Sequence, residues 1–580
     1  NDEIYDVAAT VLPNAPIDPE SGLPRPTLAY AGPGGLNIIR DNGAVALITA
    51  GAGSSYSGVS WVDFTKNHNL IFEQDNSTNP RAVFCIPVPT ANRTTQTNDG
   101  LITDKVVMKW YANGAHKPYP VFNGGGVNEG IRLSGDNQAF KSENGDFTIL
   151  EPNLTDPEQG KVAYIGSDYN TGWMVGDTKL ATLSDTDTAD AGAEIITNGD
   201  FATDSDWSKG AGWTISGGKA THDSTTGNRY LNQAGILTAG KQYVLIFTIS
   251  NYTSGVLRIY GSTTQPIDIT EGNATYTIPF IAEGTGDVNF QSSVSGAFIG
   301  SIDNVSCKLA EQDRSEYGNG LQVFGTIVKT PVRPGAELVG YNASNSTSYL
   351  EQPYNSELDF GTAGDFHYSF WVYSDSNATY NGGTSIFERT SVGDPSSRRI
   401  EARLDTSSNL QVYATSAEFV TGSTALTVNT DSWNKVDIVR KSNVGSVWIN
   451  GSQKVSGSHS GNMTDTSAKL TVCNRGYFSP HNQGFPSGIA LFRVSGTAPS
   501  PEQIVKTHND EKHLFQENAK ATLYGSSDTV RALAYDDDTE LLHAGTSAGR
   551  SDFQGLRRIN NTTRAIGTAI SAVDGFIVEE

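Results

Sequence analysis

Two stretches near opposite ends of the chain repeat one spacing of apolar residues, and that repeat constrains the fold more than any other feature. In VSWVDFTKNHNL, Val59 is followed five residues later by Phe64 and six further on by Leu70; in VRALAYDDDTEL, Val530, Tyr535 and Leu541 keep the same intervals. Each reads as a strand, a polar turn and a second strand. A second unit, two short apolar strands around a glycine-bearing turn, recurs as LAYAGPGGLNII (Leu28 to Ile39), VAYIGSDYNTGWMV (Val162 to Val175) and LLHAGTSAGRSDF (Leu541 to Phe553). Such hairpins are the units of a propeller blade or a similar antiparallel repeat, and each blade buries its faces only against its neighbours. The units fall within residues 1–185 and 516–580 and not between them. This distribution predicts one propeller-like framework split by inserted domains; unrelated hairpins in separate domains are the alternative.

The expected fold class is therefore all-β: a split β-propeller-like repeat framework with two inserted β-sandwich (jelly-roll) domains. Composition agrees, because 61 Gly together with many Ser, Thr and Asn supply the tight turns that short strands need. A chain of 580 residues is also too long for a single core. The net charge of −23, with no basic run, argues against nucleic acid or an anionic membrane as partner. Cys85, Cys307 and Cys473 each sit in an apolar, strand-like run, which predicts buried thiols rather than a disulfide framework or zinc. No apolar stretch approaches the length of a membrane span, so membrane insertion is not expected. The sequence begins at Asn1 rather than Met, which leaves a processed form and a piece of a longer protein both open.

Residues 193–310 are read as the first insert, in which KQYVLIFTIS, GVLRIYGS, ATYTIPFIA and DVNFQSS alternate as strands do. The opening IITNGDFATDSDW, the following GWTISGGKATHD and the closing IGSIDNVSCKL resemble a jelly-roll carbohydrate-binding module of the xylanase-associated type. The resemblance implies a structural Ca²⁺ between the first and last strands, held on this sequence by Asp200 of NGDF and Asp303 of SIDN. Ala202 stands where that family commonly offers an acid, and the alternative is that both acids cap turns. Sugar binding calls for aromatic faces that stack on pyranose rings, with polar groups beside them for the hydroxyls. The candidates are Trp207, whose polar setting SDWSKG predicts exposure, Tyr230 with Arg229 beside it, and Tyr252. Trp213 and Tyr260 fit the core and an alternating strand instead.

A linker, Ala310 to Tyr317, leads to the second insert at 318–515. Here LDFGTAGDFHYSFWVYSDS, SWNKVDIVRK, SVWINGSQK and GIALFRVSGTAPS follow in order, a succession that resembles a concanavalin-like or laminin-G-like sandwich. That fold hosts lectins, hydrolases and adhesive modules, so the resemblance implies architecture more than ligand. Hydrolases on this fold carry an E-x-D-x-x-E strand; no such string occurs, and the nearest acids, in EARLD (Glu401 to Asp405), are spaced differently. The loop NRGYF offers Arg475 and Tyr477 as sugar contacts. Ser500, Pro501 and Gln503 predict a capped helix that packs the sandwich tail onto the returning framework at 516–580.

No other pattern signals chemistry. The string Gly545-Thr546-Ser547-Ala548-Gly549 matches a nucleophile elbow, but the strand-like RSDFQ that follows predicts a hairpin. The acids Asp185, Asp187 and Asp190 lack the glutamate that would complete a calcium loop. The chain is accordingly read as not an enzyme. Its opening VAATVLPNAPIDPESGLPRPTLAYAG and the stretch running from APSPEQIVKTHNDEKHLF to SDFQGLRRI resemble tail-associated virion proteins of marine bacteriophages. That resemblance implies a tail structural and adhesion protein, extracellular on the virion, with other tail proteins and a host-surface glycan as partners. It also implies a homo-oligomer, since a symmetric particle repeats its subunits. Two alternatives stay open: a secreted bacterial polysaccharide-binding or polysaccharide-degrading protein, and a purely structural tail scaffold.

Overall fold

The computed structural model describes residues 4–50, 56–76, 81–95, 106–110, 130–141, 147–183, 186 and 194–580, with short breaks in the longer spans, the widest at 262–266, 392–397 and 477–483. It is nearly all-β, and the framework consists of successive antiparallel meanders. The first runs through Asp6–Thr10, Thr27–Gly32, Gly35–Ile39 and Val45–Ala50, with Arg93–Thr95 added parallel at its outer edge. The second is Tyr56–Phe64, Leu70–Asn76, Arg81–Ile86 and Val106–Trp110, and the third begins with Gly130–Arg132, Gln138–Lys141, Phe147–Glu151 and Lys161–Ile165. The returning chain supplies a fourth, Ala532–Asp536 to Arg557–Asn561, and a final hairpin, Ile570–Val573 with Phe576–Glu579.

Alternation along the strands stacks these sheets face to face. Val62, Phe64 and Phe72 point at the first sheet and meet Ile38 and Ile48. Trp61 and Ile71, one residue out of phase, point the other way and meet Phe140 and Leu150 of the third. Phe147 and Ile149 then pack on Leu542 and Phe553 of the fourth, and Ala532 and Ala534 pack on Ile570 of the last hairpin. This is the propeller-like arrangement anticipated from the repeat, and Val59–Leu70 and Val530–Leu541 are the inner hairpins of two of its sheets. The second unit is less uniform. Leu28–Ile39 and Leu541–Phe553 join second and third strands, whereas Val162–Val175 starts at a fourth strand.

The first insert packs a sheet containing Gln242–Ser254 and Ile299–Glu311 against one containing Arg229–Leu237 and Gly286–Ser292, around Phe247, Phe290 and Ile302. The described residues of Ala310 to Tyr317, a stretch read above as a linker, instead form a joint bonded on both sides. Ile299–Glu311 continues into the second sandwich by pairing Ala310 with Gln322. Just beyond it the buried Asp313 accepts bonds from the backbone N–H groups of Ala181, Ser315 and Asn319. The second sandwich faces one sheet (Phe366–Ser374, Ser432–Lys441, Ile489–Ser495 and neighbours) against another (Tyr349–Gln352, Thr384–Thr390, Ile400–Leu404, Asn409–Ala414, Lys469–Val472). Phe370, Phe387 and Phe492 fill the space between them. Thr178–Thr182, read above as framework, adds a strand to this sandwich beside Ile489–Ser495.

The outer side of the first of those sheets is closed by the helix Pro501–Glu511, which carries the predicted cap: Ser500 and Gln503 bond reciprocally, and Pro501 occupies the first turn. At the helix end the fully buried Glu511 pairs with Arg493 at 2.5 and 3.0 Å. Its carboxylate also accepts the Trp371 indole N–H at 2.8 Å and the backbone N–H of Trp173 at 2.9 Å. One side chain thus ties helix, sandwich and framework together. All three cysteines are buried and none forms a disulfide, and Gly545–Gly549 is a hairpin turn between two strands.

His459 provides a pH test of the packing. Its ring lies 4.6 Å from Phe419, and burial together with the nearby Arg440 charge lowers its pKa from 6.5 to about 4. The folded protein therefore holds the neutral form, and this contribution is complete above pH 6.5 and is lost as pH falls toward 4. The His459→Leu variant should lose about 3 kcal/mol less stability than the native chain between pH 6.5 and 4, measured by urea unfolding at each pH.

Candidate functional site

The second sheet of the concanavalin-like sandwich turns a row of polar side chains away from the core. In Ile400–Leu404 the apolar Ile400, Ala402 and Leu404 point inward and Glu401 and Arg403 outward. In Thr384–Thr390 a bulge lets both Ile386 and Phe387 enter the core, which leaves Ser385 and Glu388 on the outer side. Strand register then aligns Tyr413, Glu401, Glu388, Thr471, Glu351 and Gln322 in one line across five neighbouring pairs.

Although they face outward, Glu388 and Glu401 are fully buried. Just after Asn474, Arg475 reaches Glu401, and Gly476 packs closely on the neighbouring strands: a Cβ there would lie 2.9 Å from Thr471 Oγ1 and 3.1 Å from Thr390. The buried Arg398 bridges the two carboxylates, with Nε 2.9 Å from Glu388 and 3.2 Å from Glu401. Arg475 approaches Glu401 at 3.3 Å, Arg403 at 3.8 Å, and Ser385 donates its hydroxyl to the same carboxylate. Arg403 in turn stacks on Tyr413, 4.4 Å from the ring centre, and donates to its hydroxyl at 2.9 Å. Burial and the adjacent Glu401 charge raise the pKa of Glu388, and Arg398 opposes the rise. Glu401 Oε2 makes no aligned hydrogen bond. Two carboxylates, three guanidiniums and a phenol thus form one dense donor–acceptor patch on an otherwise apolar scaffold.

Of the residues singled out from the sequence, Arg475 belongs to this patch, and Tyr477 lies outside the described residues, as do Asp185, Asp187 and Asp190. Glu388 escaped notice because register, not local spacing, brings it to Glu401, and Arg398, though only three residues before Glu401, matters because it also reaches Glu388. In the jelly roll, Trp207 is corrected. It is 6% exposed and packs 5.2 Å from Phe201 and 6.2 Å from Phe290, with its indole N–H donated to the Asn198 carbonyl at 3.0 Å. The polar neighbours belong to the turn that wraps it, so the ring is no surface platform. Tyr230 is 44% exposed beside Arg229, in the strand Arg229–Leu237. Tyr252 belongs to the opposed sheet and donates its hydroxyl to the Gly255 carbonyl at 2.9 Å. The structure therefore does not assemble these residues into one aromatic platform.

Asp200 and Asp303 flank a backbone bond from Val305 N–H to Gly199 O at 2.8 Å, which joins the first and last segments of the jelly roll. Each carboxylate accepts a bond from a nearby backbone N–H, of Ala202 and Asn304 respectively. Among the described residues no group of three or more acidic, histidine or cysteine side chains gathers. A calcium ion here would have to draw most of its about six to eight oxygens from backbone carbonyls.

Residues 344–505 match the concanavalin A-like lectin/glucanase superfamily, so this part of the chain is a laminin-G-like, concanavalin A-like domain. No curated protein matches the chain in sequence. Among solved structures, domain 4 of AbnA, an extracellular arabinanase from Geobacillus stearothermophilus in complex with arabinotriose, is 19% identical over 32% of this chain and 82% of its own, with a TM-score of 0.25. Trypanosoma rangeli sialidase is 8% identical over 84% of this chain and 67% of its own, with a TM-score of 0.26. A putative carbohydrate binding protein from Bacteroides ovatus is 11% identical over 59% and 93%, with a TM-score of 0.23.

The placement of Trp207 is testable directly. Trp207→Ala should destabilise the jelly roll by about 3–5 kcal/mol through the cavity it leaves, seen as an earlier unfolding transition in calorimetry. An unchanged transition would return the ring to the surface.

Proposed function

We propose that the chain is a glycan-binding adhesion protein whose ligand site is the edge of this polar row of the concanavalin-like sandwich, where Arg403, Tyr413 and Arg475 are partly exposed. The observation that carries this reading is the Glu388–Arg398–Glu401 bridge with Arg475 at its edge. Sugar hydroxyls both donate and accept, and the buried carboxylates hold the Arg475 and Arg403 donors and the Tyr413 hydroxyl at set positions at the edge of the row. The opposite sheet of the sandwich cannot serve, since helix and framework seal its outer side. Arg398 also supports binding over hydrolysis: a hydrolytic pair must flank the sugar bond from an open cleft, whereas here both carboxylates are buried and tied to one guanidinium.

The finer reading places this adhesion on a virion, as a tail component beside other tail proteins, homo-oligomeric and extracellular. It is supported by the resemblance of both framework ends to tail-associated proteins of marine bacteriophages. In the jelly roll, a structural Ca²⁺ at Asp200 and Asp303 and sugar contacts from the exposed Tyr230 with Arg229 belong to the same proposal, whereas Tyr252 lies on the opposed sheet. Among the described residues no helix is long and apolar enough to cross a membrane.

The test is retention of the purified chain on immobilised host-surface polysaccharide. Glu401→Gln and Arg475→Ala should each weaken retention about tenfold or more, the scale of a lost charge-assisted bond, with no new reducing ends released by the native protein. Retention unchanged in both variants would remove the site from the sandwich. Antibody against the chain should decorate tails of purified particles in electron micrographs, and unlabelled particles would remove the virion reading.

A further inference from the structure

The framework holds a second concave site, unrelated to the sandwich row. A cavity of about 620 Å³ opens where Thr10, Asp63, Arg132 and Tyr535 come together. These residues sit at or next to the C-terminal ends of the first strands of four successive sheets: Asp6–Thr10, Tyr56–Phe64, Gly130–Arg132 and Ala532–Asp536. The first strands pack beside one another, so their ends gather on one face of the framework. The size lies within the range of small-ligand pockets, about 300–1,000 Å³.

The sequence repeat explains its chemistry. In the two matching segments Lys66 and Asp537 each follow the central aromatic residue, Phe64 or Tyr535, by two positions, and in the fold they form an ion pair across the cavity mouth. Lys66 also lies 5.1 Å above the Tyr535 ring. Behind this pair, Asp63 accepts Arg132 Nε through both oxygens, at 2.9 and 3.0 Å. At the side, Thr10 Oγ1 and His68 Nδ1 are 2.8 Å apart. The walls are held in place before any ligand arrives. Asp136 of the third sheet accepts from Thr65 at 2.5 Å, from Asn67 at 2.9 Å and from Asn69 at 3.0 Å, which clips the turn that carries Lys66. Lys66 N–H adds a backbone bond to Gly135 O at 3.1 Å.

Both cations in this cavity are already matched by a carboxylate. An ionic ligand that drew Arg132 away would leave the largely buried Asp63 without its partner, which disfavours it. A neutral ligand rich in hydroxyls meets no such cost, since each hydroxyl can donate to a carboxylate oxygen and accept from the neighbouring cation. Tyr535 adds an aromatic wall for the apolar face of a ring. We propose that this mouth is a separate binding site for a neutral sugar unit, formed by the framework itself and independent of the sandwich row.

The test is saturation-transfer NMR on the full chain with D-glucose, D-galactose and D-mannose, and with D-glucuronate as the charged comparison. Lys66 and Asp537 are at the rim, 33% and 63% exposed, so Lys66→Met with Asp537→Asn should leave the fold and its melting midpoint intact. At least one neutral hexose should give transfer that weakens about tenfold in the double variant, as expected for the loss of paired donors and acceptors, and should persist in Glu401→Gln. Transfer that survives the double variant, or disappears in Glu401→Gln, would place the sugar elsewhere. Preference for glucuronate, or no transfer from any of the three hexoses, would overturn the assignment as well.

Discussion

The carboxylate of Glu511 sits at the end of the only long helix among the described residues, out of contact with water, and accepts four bonds from three parts of the chain. Arg493 of the sandwich gives two of them, Trp371 of the adjacent strand a third, and the backbone of Trp173 in the framework the fourth. Removing such a charge from water costs several kcal/mol, and only a full set of partners returns that cost. Here the set is complete, and the Arg493 charge holds the Glu511 pKa below the ordinary range despite burial. The fit is close: Gly172 adopts a left-handed φ of +60°, and a Cβ there would lie 2.6 Å from Glu511 Oε1. The inserted sandwich is for this reason a fixed part of the framework rather than an appendage on a tether.

Fixing one side of the sandwich determines what the other side can do. The sheet facing Glu511 spends its outward residues on the joint: His367 bonds Asp437 at 2.9 Å, and Lys435 pairs with the same carboxylate. The opposite sheet is continuous with the jelly roll through Ile299–Glu311 and is steadied at that end by Asp313. Its outward row, centred on the buried Glu388 and Glu401, is left to hold Arg403, Tyr413 and Arg475 at the edge of a scaffold held from two directions. A rigid scaffold keeps donors and acceptors at set spacings, which is what recognition of a stiff polyhydroxylated ligand requires.

Much of the architecture was legible in the sequence, because it rests on local signals. The spacing of Val59, Phe64 and Leu70 reports a hairpin, Ser500 with Gln503 reports a helix start, and apolar surroundings report buried thiols. The site was less legible. Glu388 and Glu401 are single acids on separate strands, and only their register, shifted by the bulge after Ser385, sets them opposite each other. Trp207 misled for a related reason: polarity of the flanking residues described the turn around the ring, not the ring itself. Asp313 lay in a stretch with linker composition, and nothing local revealed that its acceptors would be filled by three distant or neighbouring N–H groups. Glu511 carried no signal either, since a helix-end glutamate is ordinarily a solvated one.

Amide hydrogen exchange on the intact chain, compared with Glu511→Gln, tests the clamp most directly. In the native protein the amides of Gly172–Met174, Phe366–Ser374 and Ile489–Ser495 should exchange as slowly as those of the sandwich core. In the variant, protection at Trp173 and around Trp371 should fall together while Ile400–Leu404 keeps its own. Fast exchange at Trp173 in the native chain, or a loss confined to the helix in the variant, would contradict the account, because the sandwich would then be tethered to the framework and not locked to it.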